Sequence, residues 1–314
     1  MIVDRLRATY VAEAEKRTQR PNPTGSRVGA CTASLQQLVY PDLTKPEPYQ
    51  PRSMMVFDNG NALEAWLAKK IEAVYPATWG LRGQPFYLPI PVPPEALDRI
   101  AANLRPSRYK RGGLGFWGWA EDGFITPMMR LTPEGKWRIR GIGEKVDYLP
   151  SVVLDRKAEG GPCVWVAVYI DGMIGHEGRT TLVEIKQMST PAFRRAVLGD
   201  LDYRYRCQLV AELVATGADE ALWICHRKET SHLAEVLFTR NADRVRVTLT
   251  APNGSQEVYF VEGTTLRPVA GGPALKDFPP DLAWETAEVW TPWDTRDLAS
   301  IHQRVLDVLL AKPG

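Results

Sequence analysis

At 314 residues, with 39 basic against 37 acidic side chains and a net charge of +2, the chain has a globular composition and the length to bury a sizeable core. The near-neutral balance excludes a global electrostatic attraction to nucleic acid, so any basic surface has to be local. No apolar run reaches the ~18 residues of a membrane span and no charged leader precedes an apolar stretch, so a cytoplasmic protein without a membrane partner is expected.

Residues 2–19 carry Ile2, Leu6, Tyr10 and Ala14 at helical spacing, which predicts an amphipathic helix that the proline-rich 20–26 segment breaks. A short helix over 34–39 ends before Pro41. Over 59–75, Leu63, Trp66, Leu67, Ile71 and Val74 form one apolar stripe, with Glu64 at its edge one turn beyond Gly60. Residues 76–135 read as an irregular insert with one short helix over 95–104. Within it, 105–119 gathers Arg105, Arg108, Lys110 and Arg111 with Tyr109, Phe116, Trp117, Trp119 and four glycines. Two readings stay open there: a wall that stacks and neutralises DNA, or a loop whose aromatic side chains plug the core.

From Gly135 the pattern turns to β. Strands are expected over 136–149, 164–173 and 181–186. Thr190 and Pro191 then open one helix that runs to a stop at Gly217, with Phe193, Val197, Leu201, Tyr205, Leu209 and Leu213 as its buried stripe. Strands over 220–225, 234–240, 244–250 and 256–262 follow, and a closing helix over 295–310. The order is α/β with hairpins rather than a doubly wound repeat. It divides as N-terminal helices (1–75), insert (76–135), core (136–230) and β-rich extension (231–314), together one compact unit. Cys31, Cys163, Cys207 and Cys225 have neither C-x-x-C spacing nor histidines beside them in zinc-ligand patterns and read as reduced thiols.

The chemistry concentrates in 164–186. Strand alternation puts Leu182, Glu184 and Lys186 on one face and Thr181, Val183 and Ile185 on the other. Charges in a central strand are costly unless they are paired or bind a metal. Asp171, separated from Glu184 by twelve residues, ends the neighbouring strand in this reading.

The pattern Ile170-Asp171-Gly172, then Leu182-Val183-Glu184-Ile185-Lys186, then a helix with Tyr205-x-x-Gln208, preceded by Gly60-x-x-x-Glu64, resembles the PD-(D/E)XK nuclease superfamily. The likeness is to its RecB-like and phage lambda-type exonuclease branches and covers about half the chain. It implies a restriction-endonuclease-like core, a mixed central sheet flanked by helices, with the insert and the C-terminal extension outside it. It also implies a metal-dependent DNA nuclease, an exonuclease or end-processing enzyme of recombination and repair. A non-catalytic DNA-binding or scaffold subunit, or a structure-specific or restriction-type endonuclease, are the alternatives.

On this resemblance Asp171, Glu184, the Ile185 backbone carbonyl and Glu64 are ligands for one or two Mg²⁺ or Mn²⁺ ions. Lys186 orients or deprotonates the attacking water, and Tyr205 and Gln208 hold Lys186 or a phosphate. Arg194, Arg195, Arg204 and Arg206 are candidates for contacts to the DNA backbone. Asp147, in Gly143-Glu144-Lys145-Val146-Asp147, is the alternative to Asp171. Without a cysteine after Cys225 no iron–sulfur cluster is expected, and without a phosphate loop no motor. A homo-oligomer or a recombination-protein partner is implied by the likeness alone.

Overall fold

The computed structural model describes residues 51–76, 79–82, 85–103, 129–131, 137–139, 152–156, 158, 160–176, 178–197, 201–230, 232–240, 245–250, 253, 256–262, 265–268, 292–293 and 295–311. The two helices expected before residue 40, Asp147 and the whole basic–aromatic segment 105–119 lie outside the described residues. The chain divides into two compact units, Met1–Ala62 with Pro85–Tyr169 and Arg296–Gly314, and Leu63–Gln84 with Ile170–Thr295. The division between Tyr169 and Ile170 falls inside the segment 136–230. The apolar stripe of 59–75 lies in a longer helix, α1 (Pro51–Val74), so Gly60 is interior to it.

In the first unit, β2 (Pro85–Pro91), β6 (Cys163–Tyr169) and β5 (Val152–Asp155) form a three-stranded antiparallel sheet in the order β2-β6-β5. Strand β2 lies in what the sequence presents as an irregular insert. Its prolines, Pro85, Pro89 and Pro91, alternate along a strand that among the described residues is an edge paired with β6 alone, where a missing N–H is tolerated. Both faces of β6 are buried, so it reads as a continuous apolar run rather than an alternating one. The expected 95–104 helix is a single 3₁₀ turn, Pro94–Ala96, followed by α2 (Leu97–Asn103). Of the 136–149 strand, Trp137–Ile139 (β4) is described, paired with β3 (Met129–Leu131). The closing helix, α5 (Thr295–Leu310), has the expected bounds, and the Asn103 amide donates to Leu309 O at 2.9 Å near its end.

The second unit is a mixed eight-stranded sheet. In order across the sheet it contains β1 (Trp79–Gly80), β7 (Gly172–His176), β8 (Arg179–Met188), β9 (Glu220–Arg227), β10 (Leu233–Thr239), β11 (Val245–Thr250), β12 (Gln256–Glu262) and β13 (Thr265–Pro268). All neighbours are antiparallel except β8 and β9. That parallel pair requires a crossover, which carries α3 (Thr190–Val197) and α4 (Tyr203–Thr216). Helix α3 packs on β8, β9 and β10, and α4 on β8 and β9.

Two expectations are corrected here. The apolar run 164–173 is two strands in two different sheets, β6 and β7, separated at Ile170-Asp171. Asp171 interrupts the apolar run, but nothing in the local pattern shows that the residues after it join a different sheet. Nor is 190–216 one helix: Asp202 Oδ1 accepts from Arg204 N at 3.0 Å and caps a fresh start. The Thr190 hydroxyl donates to Glu229 and accepts from Arg227. The expected stop holds, with Gly217 left-handed at φ 66°.

Both ends of the β8–β9 pair are tied by polar groups. At the start, Asp219 Oδ2 accepts from Thr180 N (2.9 Å) and Thr180 Oγ1 (3.1 Å), while Glu220 accepts from Arg179, Thr181 and Thr239. At the far end Lys228 N donates to Met188 O at 3.0 Å, beside the Thr190 contacts.

The strand alternation sorts the faces. Val183 and Ile185 join Ile174, Ile224 and Leu67 in a buried cluster, against which Leu63, Ile71 and Trp79 pack. The opposite face of β8 presents Glu184 to α4.

Candidate metal and hydrolytic site

Asp171 immediately precedes β7 rather than ending a neighbouring strand. In the β7–β8 hairpin Gly172 stands opposite Val183, so one step further places Asp171 beside Glu184. The carboxylate is fixed there, since Asp171 Oδ2 accepts from Ile185 N at 2.8 Å. Gly172 is required by a close approach: a Cβ on it would stand 2.0 Å from the nearest Trp79 ring carbon. Trp79 belongs to β1, which pairs with β7, so the indole lies across the residue next to the acid.

Glu184, 1% exposed, is held from two sides. Its Oε1 pairs with Lys186 Nζ and accepts from Gln208 Nε2 of α4. The same Gln208 nitrogen donates to Glu212 Oε1 at 2.8 Å. Glu212 is fully buried one turn further along α4 and is not one of the site residues expected from the sequence. Its signal was present: a charged residue in the apolar run LVAELVA, four residues after Gln208 and therefore on the same helical face. The Oε2 atoms of Glu184 and Glu212 are buried and have no hydrogen-bond partner among the described residues.

Electrostatically the cluster has three carboxyls to one ammonium. Burial first, then the Glu184 charge and more weakly that of Glu64, push the Asp171 carboxyl up to about 8, against the pull of Lys186 and the Ile185 N–H. Burial and the Glu184 charge likewise raise Glu212 well above the carboxylate range. For Lys186 burial works downward, but Glu184, Asp171 and Glu212 outweigh it and hold the ammonium above its ordinary range. The side chain of Lys186 keeps 24% exposure and Asp171 is half-buried, whereas Glu184 and Glu212 are buried.

Such an excess of buried acid is relieved by protons or by a cation. Hard carboxylate oxygens, two of them without partners, fit Mg²⁺ or Mn²⁺ and suit no soft metal. Among the described residues, no three Asp, Glu, His or Cys side chains stand together so as to cage an ion by themselves. Mg²⁺ is commonly bound through one or two carboxylates with water filling the remaining positions.

The other expected site residues are less closely joined. Glu64 is ion-paired with Arg82 at 2.7 Å, and reaches Asp171 only through its charge. The Tyr205 ring lies against Trp223, with centroids 5.4 Å apart; Trp223 is fully buried and stands opposite Glu184 on β9. Arg194, Arg195 and Arg204 are exposed on α3 and α4, and the Arg206 guanidinium lies 5.7 Å from the Tyr203 ring. Cys163, Cys207 and Cys225 are buried free thiols.

Among the described residues no helix is long and apolar enough to cross a membrane. No family model and no curated protein matches the chain. Among solved structures, that of SSO0001 is similar at 12% identity with a TM-score of 0.39, over 77% of this chain and 80% of that one, a likeness too weak to carry an argument about fold or function.

Proposed function

We propose that the chain is a metal-dependent nuclease of the PD-(D/E)XK type that hydrolyses phosphodiester bonds in DNA, acting as an exonuclease or end-processing enzyme. The observation that carries the reading is the convergence of Asp171, Glu184, Lys186 and Gln208 on one buried site, with Glu184 Oε2 left without a partner. The restriction-endonuclease-like core is part of the proposal. An antiparallel hairpin carrying both acids, a helical crossover and a parallel third strand support it.

Asp171 and Glu184, with the Ile185 carbonyl, would hold Mg²⁺ or Mn²⁺. When bound, the ion supplies Lewis-acid stabilisation of the charge that develops on the phosphate. The protein's own part is orientation. Lys186 and Gln208 both engage Glu184 Oε1, which leaves Oε2 as the free ligand atom. The Ile185 N–H fixes one oxygen of Asp171. Lys186, paired with Glu184 and partly exposed, orients the attacking water and offsets negative charge on a non-bridging phosphate oxygen. In the reaction the water oxygen bonds to phosphorus and gives up a proton to solvent, one ester P–O bond breaks, and the leaving alkoxide takes up a proton from solvent. The exposed arginines of α3 and α4 supply backbone contacts, which set affinity and its salt dependence rather than sequence choice.

The test is degradation of linear, closed circular and single-stranded DNA with and without Mg²⁺ or Mn²⁺, using Lys186→Ala and Glu184→Ala as controls. Metal-dependent cleavage abolished by both substitutions supports the proposal, and digestion of linear but not closed circular duplex makes it an exonuclease. Cleavage that survives both substitutions refutes the site. A wild-type protein that binds DNA without cutting it favours a scaffold subunit.

A further inference from the structure

We infer that Glu212 is a positioning residue of the proposed metal site, acting through Gln208 on Glu184; this inference rests on the nuclease reading above. A glutamine amide is nearly symmetric in shape, and either end fits a pocket unless its partners tell oxygen from nitrogen. Here both partners are carboxyl oxygens that accept, Glu184 Oε1 and Glu212 Oε1, and both are served by Gln208 Nε2. Flipping the amide sets its carbonyl against two acceptors. With Glu184 alone, one contact separates the two orientations; with Glu212 present, two do. Glu212 stands four residues after Gln208 on α4, so helix geometry keeps the pair in register without any long-range adjustment.

The consequence falls on Glu184. A Gln208 amide locked nitrogen-inward, together with Lys186, occupies Oε1 and leaves Oε2 without a partner. Among the described residues Gln208 is the side chain that hydrogen-bonds the Glu212 carboxyl, whose charge also acts on Lys186. Glu212 is fully buried, and its own Oε2 has no hydrogen-bond partner among the described residues. An apolar side chain in the run LVAELVA avoids that cost entirely. Retaining a buried acid there is explained by what it does to its neighbour. Partners of this kind, one shell removed from the ion, typically change metal affinity by about 10- to 100-fold when lost.

The experiment is Mn²⁺ binding to the full chain by titration calorimetry without DNA, a readout independent of turnover. Glu212→Met keeps the volume and removes the acceptor; Glu212→Gln keeps an acceptor and removes the charge. The first is expected to weaken Mn²⁺ about tenfold, and the second less than about threefold. Gln208→Met and the double variant Gln208→Met/Glu212→Met are expected to bind equally, because Glu212 acts only through the amide. Wild-type affinity in Glu212→Met, or additive losses in the double variant, overturns the inference. So does a loss in Glu212→Gln as large as in Glu212→Met. If Glu212→Met does not fold, the comparison of Gln208→Met with the apolar double variant decides the matter. Glu184→Ala separates the two levels: its loss of Mn²⁺ binding with Glu212→Met unaffected overturns this inference alone. Undiminished binding in Glu184→Ala overturns the site itself.

Discussion

Replacing Gly172 by alanine tests whether the residue beside Asp171 is fixed by packing rather than by backbone conformation. Gly172 is not among the glycines with positive φ, so alanine meets no conformational penalty there. Its Cβ, however, falls 2.0, 2.4 and 2.6 Å from three carbons of the Trp79 ring, where ordinary contact begins at 3.4 Å. The ring or the strand has to yield by roughly 1.4 Å, the gap between 2.0 and 3.4 Å, which is a small-to-large change costing about 1–3 kcal/mol. Yielding is hard because Trp79 sits on β1, paired in register with β7 itself, and packs against the Leu67–Ile185 cluster. Urea denaturation of wild type, Gly172→Ala, Trp79→Ala and the double variant forms a closed cycle. In the Trp79→Ala background the alanine at 172 is expected to cost less than about 0.5 kcal/mol, since the clash is gone. Equal cost in both backgrounds would refute the steric account and point to the backbone instead.

Further outcomes follow from the site and its surroundings. Between the ordinary carboxylate range and about 8, folded metal-free protein holds a proton on Asp171 that the unfolded chain has released. Stability therefore falls as pH rises through that window, by at most about 1.4 kcal/mol per pH unit for this proton, and Asp171→Asn removes its share. Thermal melts from about pH 5.5 to 8.5 check this, and a Tm that climbs with pH contradicts it. Lys186→Met is expected to lower the cleavage rate by about 10²–10⁴-fold without weakening Mn²⁺ binding, because it removes a cation from among the carboxylates. Calorimetry and single-turnover cleavage separate the two effects, and a parallel loss of both would show that Lys186 holds Glu184 rather than acting in the reaction. Gly217→Ala puts a side chain at φ 66° and is expected to destabilise by about 1 kcal/mol in urea melts.

Glu184 and Lys186 were legible because period-two alternation is a local property: two charges at i and i+2 in a β-prone run share a face whatever lies around them. Gln208 followed from helical spacing and the family likeness. Asp171 lies beside Glu184 for a reason the run does not show, since sheet membership is decided by pairing across the sheet and not by the apolar residues that lead into it. The prolines of β2 concealed a strand because an edge position, invisible in sequence, is what makes them tolerable. The role of Gly172 depends on Trp79, ninety-three positions upstream in 79 to 172, and no spacing rule links them. Glu212 was legible in principle, because a carboxylate within an apolar helical face, four residues from a glutamine, has to be paired or exposed.

The ties at the two ends of β8 and β9 bear on a failure that does not involve the site directly. A slip of one residue between strands exchanges their faces. In β8 it would send Glu184 and Lys186 into the cluster of Leu67, Ile174 and Ile224 and turn Val183 and Ile185 toward Gln208. The carboxylate of Asp219 on Thr180, the Glu220 contacts to Arg179 and Thr181, and the Lys228–Met188 bond each recognise one register and no other. They act as end stops on a ruler: remote from the chemistry, they keep the acids counted to the correct side of the sheet.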